Sequence, residues 1–192
     1  MDTELQQLTE AFSQFFKVEH AIAINIQPTH SPLPDETQFQ AAIPEPFLLA
    51  GNIGQLNISA LRSLQRLGEL AEELAHYLQQ QAHKLDLLLH YVLRQQDLAE
   101  YRYQTLSYGG AGLTFLAREA LVPLSVLEIK LFLADNAGAV FCYGQVLSCE
   151  PDANGYLTQV VFMRIRDEDR ELLVRASLQQ QARQLKQKAA ER

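Results

Sequence analysis

The sequence predicts an α+β protein, in which a small antiparallel β-barrel or sheet is combined with a long coiled-coil helix and a C-terminal helix. Three observations predict this class. A leucine-rich stretch without proline runs from about residue 59 to 101, four apolar strand-like segments follow between residues 112 and 165, and helical spacing returns after Asp167. The 192 residues suffice for one domain of ordinary size with an added element.

Composition and charge exclude several classes. Hydrophobic residues make up 47% of the chain, which argues against wholesale disorder. The net charge is −7, whereas nucleic-acid-binding domains usually carry a basic face, so we expect no nucleic-acid partner. The N-terminus has no secretory signal, and no apolar run approaches the ~18 residues that span a bilayer. We therefore expect a cytoplasmic protein without membrane insertion.

The two cysteines fit this expectation. Cys142 and Cys149 stand seven residues apart in one predicted strand, which separates them by roughly 23 Å and places them on opposite faces. They are too far apart to pair with each other, so we interpret both as free thiols in a reducing compartment.

The chain divides into three predicted parts. Residues 1–57 contain a short amphipathic helix over 2–17, a strand over 19–27 and a proline-rich loop over 28–46; residues 58–103 form the long helix, and residues 104–192 form the barrel and a closing helix. A strand at 21–26 would make the long helix an insertion within the barrel if it joined the sheet. Otherwise the helix belongs to a separate N-terminal part, and both readings remain open.

The long helix carries a coiled-coil pattern. Ser59 is a plausible N-cap, and from there to Tyr101 the stretch has no proline. Apolar residues recur every 3.5 residues on average, with Gln81 as a polar exception. The predicted seam consists of Leu64, Leu67, Ala71, Leu74, Leu78, Gln81, Leu85, Leu88 and Val92.

Such a helix would be about 64 Å long and cannot bury its own stripe, so we expect it to pair with copies of itself. Further leucines beside the seam favour a trimer or tetramer over a dimer. Gln81 either fixes register and strand number or is a tolerated defect. His76, His83 and His90 recur every seven residues on the face opposite the seam, too far apart to share one metal ion, so we interpret them as solvated surface.

Strand signals follow in the C-terminal half. Four strands are predicted over residues 112–117, 126–134, 139–149 and 156–165, with a tight connection at 135–138 and an Asn154-Gly155 hairpin turn. A basic helix capped by Asp167 closes the chain. Its predicted apolar face consists of Leu172, Leu173, Leu178, Ala182 and Leu185.

Two stretches carry a family resemblance. Thr105-Leu106-Ser107-Tyr108-Gly109-Gly110 runs into an apolar strand, and Val160-Val161-Phe162-Met163-Arg164-Ile165 runs into Asp167-Glu168-Asp169-Arg170-Glu171-Leu172. The first is similar to the Asp/Asn-x-Ser-x-x-Gly motif of the PilZ domain family, and the second to the last strand and closing helix of that family. The resemblance implies a six-stranded antiparallel barrel, which in many bacterial proteins binds cyclic di-GMP.

The departures from the family pattern bear on ligand binding. In the family, an Arg-x-x-x-Arg motif that precedes the Asp/Asn-x-Ser-x-x-Gly motif binds the phosphates. Here the preceding segment is predicted to be helix, and its Arg94 and Arg102 stand eight residues apart. Thr105 replaces the Asp or Asn, whereas Ser107 and Gly110 remain. A remnant ligand site would consist of Arg102, Thr105, Ser107 and Gly110.

We therefore predict a non-enzymatic oligomeric adaptor in cyclic di-GMP-related signalling, which lacks the usual nucleotide-binding mode and contacts an unidentified protein partner. The alternatives are a cyclic di-GMP receptor with an altered site and a purely structural coiled-coil spacer. The sequence contains no phosphate loop, nucleophile elbow or Cys/His cluster, so no catalytic residue, metal site or bound cofactor is expected.

Overall fold

The computed structural model describes residues 16–50, 69–133 and 138–190. Within these ranges the chain forms seven strands and three longer helices, together with a helical segment at 45–50 and a 3₁₀ turn at Ala99–Tyr101. In chain order the elements are β1 (Lys17–Glu19), β2 (Ala23–Pro28), α1 (Glu36–Ala42), α2 (Glu69–Gln95), β3 (Arg102–Gly109), β4 (Gly112–Ala117), β5 (Val126–Phe132), β6 (Ala139–Asp152), β7 (Gly155–Arg164) and α3 (Asp167–Ala190).

The strands close into a barrel. The hydrogen-bonded order runs β3-β2-β5-β6-β7-β4, and β4 pairs with β3 to complete the ring, with antiparallel pairing throughout. β1 continues the line of β2 along β3, so it adds no seventh side to the ring. The structure confirms the predicted α+β class, the six-stranded antiparallel barrel and the two helices.

The barrel takes its first strand from residues that precede the long helix. β2 lies between β3 and β5, with Ile24 opposite Tyr103 on one side and Leu131 on the other. Helices α1 and α2 therefore lie in sequence between two strands that are neighbours in the sheet. The segment that contains the long helix is therefore an insertion between β2 and β3, which are adjacent strands of the barrel.

Apolar side chains from every strand of the ring fill the barrel. Ile24, Leu113, Leu127, Ile129 and Leu131 are fully buried there, and Leu173 of α3 packs against them. The cysteines depart from the predicted alternation, since both Cys142 and Cys149 contact this core. The reason is a β-bulge between Val146 and Ser148, which shifts the register of β6 by one residue and returns Cys149 to the inner face.

A second apolar cluster joins the helices inserted between β2 and β3 to the outside of the barrel. Phe39 of α1 and Phe47 of the 45–50 segment pack on Phe141 of β6, with ring centroids 6.4 and 6.0 Å from it. Leu93 near the end of α2 is buried in the same cluster, and Leu89 packs against it. This end of the long helix is therefore fixed to the barrel wall.

Several predicted boundaries were wrong. The stretch 28–46 is not all loop, because α1 lies within it and begins with a capping box: the backbone N–H of Gln38 donates to the Asp35 carboxylate (2.8 Å) and the backbone N–H of Asp35 donates to the Gln38 side chain (3.1 Å). α2 ends at Gln95 and not at Tyr101, and β3 begins at Arg102. The predicted strand over 19–27 is divided into β1 and β2.

The closing helix buries fewer leucines than predicted. Leu173 is buried and Leu172 is half-buried, whereas Leu178 and Leu185 are exposed. Lys17, the last residue of the helix predicted over 2–17, instead begins β1. The rest of that helix up to residue 15, Ser59, Leu64, Leu67 and the connection at 135–137 lie outside the described residues. None of the described helices is both long enough and apolar enough to cross a bilayer.

Candidate functional site

The remnant motif begins on β3 and ends in the link to β4. The C-terminal end of β3 pairs with β1, where Ser107 lies opposite Glu19, and the first residues of β3 pair with β2. Arg102 and Gly110 are eight residues apart along this extended strand, a separation of roughly 25 Å. The structure therefore does not bring the four predicted site residues into one place.

Thr105 holds the junction between β1 and β2. Its side chain is 1% exposed, and its hydroxyl donates to the carbonyl of His20 (2.7 Å) and accepts from the backbone N–H of Ile22 (3.0 Å). Both bonds are made to residues of the short segment between β1 and β2. The hydroxyl is engaged inside the fold, so it does not stand in for the family's carboxylate or amide toward a ligand.

The two glycines of the motif allow close packing. A Cβ atom on Gly109 would lie 2.1 Å from the carbonyl oxygen of Phe16, and one on Gly110 would lie 2.6 Å from Val174 Cγ2 of α3. The Gly110 carbonyl also accepts from Arg170 Nη1 at 2.7 Å. The closing helix therefore occupies the space directly over Gly110.

A pair of arginines with the four-residue spacing does occur after the barrel, at Arg166 and Arg170, and it was not predicted as a site. Arg170 is the residue that donates to Gly110. Arg166 grips both oxygens of Asp169, at 2.8 and 2.9 Å, and also contacts Glu168 and the carbonyl of Phe47. This pair joins α3 to its surroundings and does not present two free guanidinium groups.

Asp169 is completely buried, although it stands in a run of three acidic residues at the start of α3. Burial raises the pKa of the Asp169 carboxyl to about 6, and the opposing effect of the Arg166 guanidinium only partly offsets that rise. Because Arg166 also donates to the Phe47 carbonyl, this ion pair connects α3 with the cluster that fixes the long helix.

Arg102 lies at the other end of β3 and is half-exposed. Its Nε donates to the Asp97 carboxylate at 2.8 Å. Arg102 and Thr105 border one open groove of about 510 Å³ on the outside of β2, β3 and β4. The apolar part of this groove consists of Ala21, Ala23, Leu106 and Leu116.

Arg118 lies on the edge of the same groove and was not predicted as a site residue. Its guanidinium carbon is 4.6 Å from the centroid of the Tyr103 ring, while Nη1 and Nη2 donate to the carbonyls of Glu100 and Arg102 at 2.8 and 2.9 Å. A lone arginine after a strand gives no sequence signal. Its position depends on the 3₁₀ turn that precedes β3.

The seam of α2 is largely uncovered along its described length. The exposed fractions are 50% for Leu74, 41% for Leu78, 59% for Leu85, 62% for Leu88 and 43% for Val92. Gln81 is intermediate, and the side chains of Leu64, Leu67 and Ala71 lie outside the description.

The helix uses a different face within its own chain. Ala75 and Leu93 are buried and Leu89 is partly buried. At ~100° per residue, Ala75 and Leu93 lie roughly 100° and Leu89 roughly 60° around the helix from the centre of the seam. His76 and His83 are exposed on the side opposite the seam. Among the described residues, no group of His, Cys, Asp or Glu is placed to hold a metal ion.

The chain is similar to proteins of solved structure. A Xanthomonas campestris protein of solved structure, described as a tetrameric PilZ domain self-assembled through a helical bundle, is 20% identical and has a TM-score of 0.55, covering 92% of this chain and 96% of its own. The inhibitor of motility from Bacillus subtilis is 8% identical with a TM-score of 0.47, covering 88% of this chain and 51% of its own. No curated protein matches the chain.

The family model of the PilZ domain matches residues 79–179, which is more than half of the chain. The matched segment includes the end of α2, where it packs on the barrel, and reaches α3, where Arg170 meets Gly110. The chain belongs to the PilZ domain family.

Proposed function

We propose that this protein is a non-enzymatic, oligomeric PilZ adaptor, which acts in cyclic di-GMP-related signalling through contacts with a protein partner and has lost the usual nucleotide-binding mode. PilZ domains generally bind and do not catalyse, which supports a binding role. The observation that carries the proposal is the engagement of the remnant motif within the fold: the hydroxyl of Thr105 is used by the β1–β2 junction, and α3 covers Gly110.

Loss of the usual binding mode follows from charge as well as from space. Two phosphates require guanidinium groups that are free to donate in planar pairs. In the described structure Arg166 is committed to Asp169 and Glu168, Arg170 reaches the Gly110 carbonyl, and Arg102 pairs with Asp97. A nucleotide held by Arg102, Arg166 or Arg170 would have to displace these contacts before it could bind.

Self-association is proposed through the seam of α2. The apolar side chains of the seam, Leu74, Leu78, Leu85, Leu88 and Val92, expose 41–62% of their surface. The helix packs on the chain's own barrel through Leu89 and Leu93, which are not part of the seam. The Xanthomonas campestris neighbour is described as a tetramer built on a helical bundle, which supports a similar assembly here. We propose a trimer or tetramer located in the cytoplasm, in which the barrels are displayed in several copies and gain avidity for a partner.

One sample tests both parts of the proposal. Light scattering should give a discrete oligomer, and calorimetric titration of the same preparation with cyclic di-GMP should give no binding heat. A monomer would refute the assembly, and binding of cyclic di-GMP would refute the loss of the nucleotide mode.

A second candidate function is an altered cyclic di-GMP receptor, since half-exposed Arg102 borders an open groove. This reading predicts measurable affinity that Arg102→Ala abolishes. Ser107→Ala is the companion variant, because Ser107 is half-buried near the covered end of the motif. If the protein were only a spacer, no change on the barrel surface would affect a partner.

A further inference from the structure

We propose that the groove outside β2, β3 and β4 is the docking site for a partner segment that carries a carboxylate beside an apolar side chain. This inference rests on the proposed adaptor function and names the surface and the chemistry of its partner. The groove holds about 510 Å³ and is separate from the end of the barrel that α3 covers.

The carboxylate is assigned to Arg118. Its guanidinium is held in place by the carbonyls of Glu100 and Arg102 and by the Tyr103 ring. These three contacts are with neutral groups, so they orient the cation without neutralising it. Within residues 16–50, 69–133 and 138–190, no carboxylate lies at ion-pair distance from Arg118, whereas the nearby Arg102 has Asp97. The side chain is also exposed.

An oriented arginine of this kind favours a carboxylate ligand. A charge-assisted hydrogen bond between guanidinium and carboxylate is stronger than a neutral one. Because the fold already orders the Arg118 side chain, binding causes a smaller loss of its conformational entropy. The remaining N–H groups of Arg118 and its uncompensated charge are therefore ready for an acidic group.

The apolar part of the segment is assigned to the floor of the groove. Leu106 is 45% exposed and Leu116 is half-buried, while Ala21 and Ala23 are too small to fill the space between them. A leucine-sized side chain placed there would cover Leu106, which gains free energy by removing apolar surface from water.

The same surroundings disfavour a nucleotide in this groove. Base binding on proteins commonly uses an uncovered aromatic face. Here the Tyr103 ring has Arg118 over its face, and its edge-to-face contact with Phe115 at 5.2 Å ties it to the barrel core. The groove thus offers a cation and an aliphatic floor, which fit a peptide better than a base.

The test uses the intact protein. A random peptide library displayed on phage is selected on immobilised wild-type protein, and the enriched peptides are synthesised and titrated by fluorescence anisotropy. We expect the enriched peptides to share an Asp or Glu next to Leu, Ile, Val or Phe. Arg118→Gln and Leu106→Asp should each weaken binding by roughly tenfold or more, because one removes the cation and the other places a like charge on the floor.

Arg175→Gln is the matched control, because it removes an exposed arginine on α3, outside the groove, and should change affinity by less than about twofold. Leu106→Asp leaves the hydrogen bonds of Arg118 in place, so it decides the question even if Arg118→Gln proves unstable. Failure to enrich peptides, enrichment without an acidic residue, unchanged binding by Leu106→Asp, or displacement of the peptides by cyclic di-GMP would each overturn the inference.

These outcomes are distinct from failure of the adaptor function itself. Peptides that bind wild-type protein but lose affinity only with Arg175→Gln would move the partner surface to α3 and leave the adaptor proposal standing. The oligomeric mass and the nucleotide titration judge that proposal independently of the groove.

Discussion

Leu85→Asp provides the sharpest test of assembly through α2. Leu85 is 59% exposed, so the substitution removes little packing from the single chain and should change its own stability by less than about 0.5 kcal/mol. Full burial of a leucine contributes about 1.5–3 kcal/mol, so covering the exposed part in an assembly contributes roughly 1–2 kcal/mol per chain.

An aspartate at this position adds a second and larger cost. Taking a carboxylate out of water without a partner costs several kcal/mol per ion. Together the two effects amount to roughly 5 kcal/mol per chain, and on the order of 20 kcal/mol in a four-chain assembly. Since about 1.4 kcal/mol corresponds to a tenfold change in an equilibrium constant, the variant should be monomeric at micromolar concentration.

The assay is light scattering after size-exclusion chromatography, with circular dichroism to show that the barrel is folded. His83→Asp is the matched control, because it places the same charge two residues away on the face opposite the seam and should leave the mass unchanged. Leu74→Asp should reproduce the effect of Leu85→Asp. The reasoning is refuted if Leu85→Asp keeps the wild-type mass, or if His83→Asp dissociates the assembly equally.

Three further predictions concern the barrel, each read out by urea denaturation. Gly110→Ala should destabilise the protein by about 1–3 kcal/mol through overpacking, and adding Val174→Ala should restore part of the loss because it removes the methyl group 2.6 Å from the new Cβ; no rescue would mean that α3 is not the obstacle. Thr105→Val should cost roughly 2–3 kcal/mol, since the N–H of Ile22 and the carbonyl of His20 lose their partner, and a cost as small as that of Ser107→Ala would contradict the junction role. Burial raises the pKa of Asp169 from 3.8 to about 6, so the folded state binds this proton more tightly than the unfolded state. The resulting contribution to the free energy of unfolding is fully present below pH 3.8 and is lost as the pH rises through 6, a loss of up to ~3 kcal/mol. If the free energy of unfolding of Asp169→Asn has the same pH slope as that of the wild type, Asp169 is excluded as the source.

The fold was largely predictable because its signals are periodic. β4 was predicted at its observed bounds, and β5, β6 and β7 to within three residues, since strong β-formers alternate there and Asn154-Gly155 marks the β6–β7 turn. β3 was missed because its outward positions Arg102, Gln104 and Leu106 follow a helical stretch without a break by glycine or proline.

α1 was missed for a different reason. Prolines before and after it suggested a loop, yet Asp35 and Gln38 carried the signature of a helix start. The prolines lie outside the helix and limit it instead of breaking it.

The site was less predictable than the fold because it depends on contacts between distant parts of the chain. The Thr105 side chain meets His20 and Ile22, more than 80 residues away, and no local pattern in the sequence encodes this. The orientation of the Arg118 guanidinium likewise depends on carbonyls at and just after the turn before β3. Motif spacing grouped Arg102, Thr105, Ser107 and Gly110 along the sequence, but it did not indicate which of them form contacts within the fold.

The position of the long helix has a consequence for how the protein folds. β2 must pair with β3, which emerges from the ribosome roughly 70 residues later, and closing a loop of that length costs on the order of 4 kcal/mol of chain entropy. Until then β2 has unsatisfied strand edges, which are prone to aberrant pairing. Early helix formation in the intervening segment would shorten the effective loop. We therefore expect helix formation to precede barrel closure, so that neighbouring nascent chains meet through their helices before their barrels are complete.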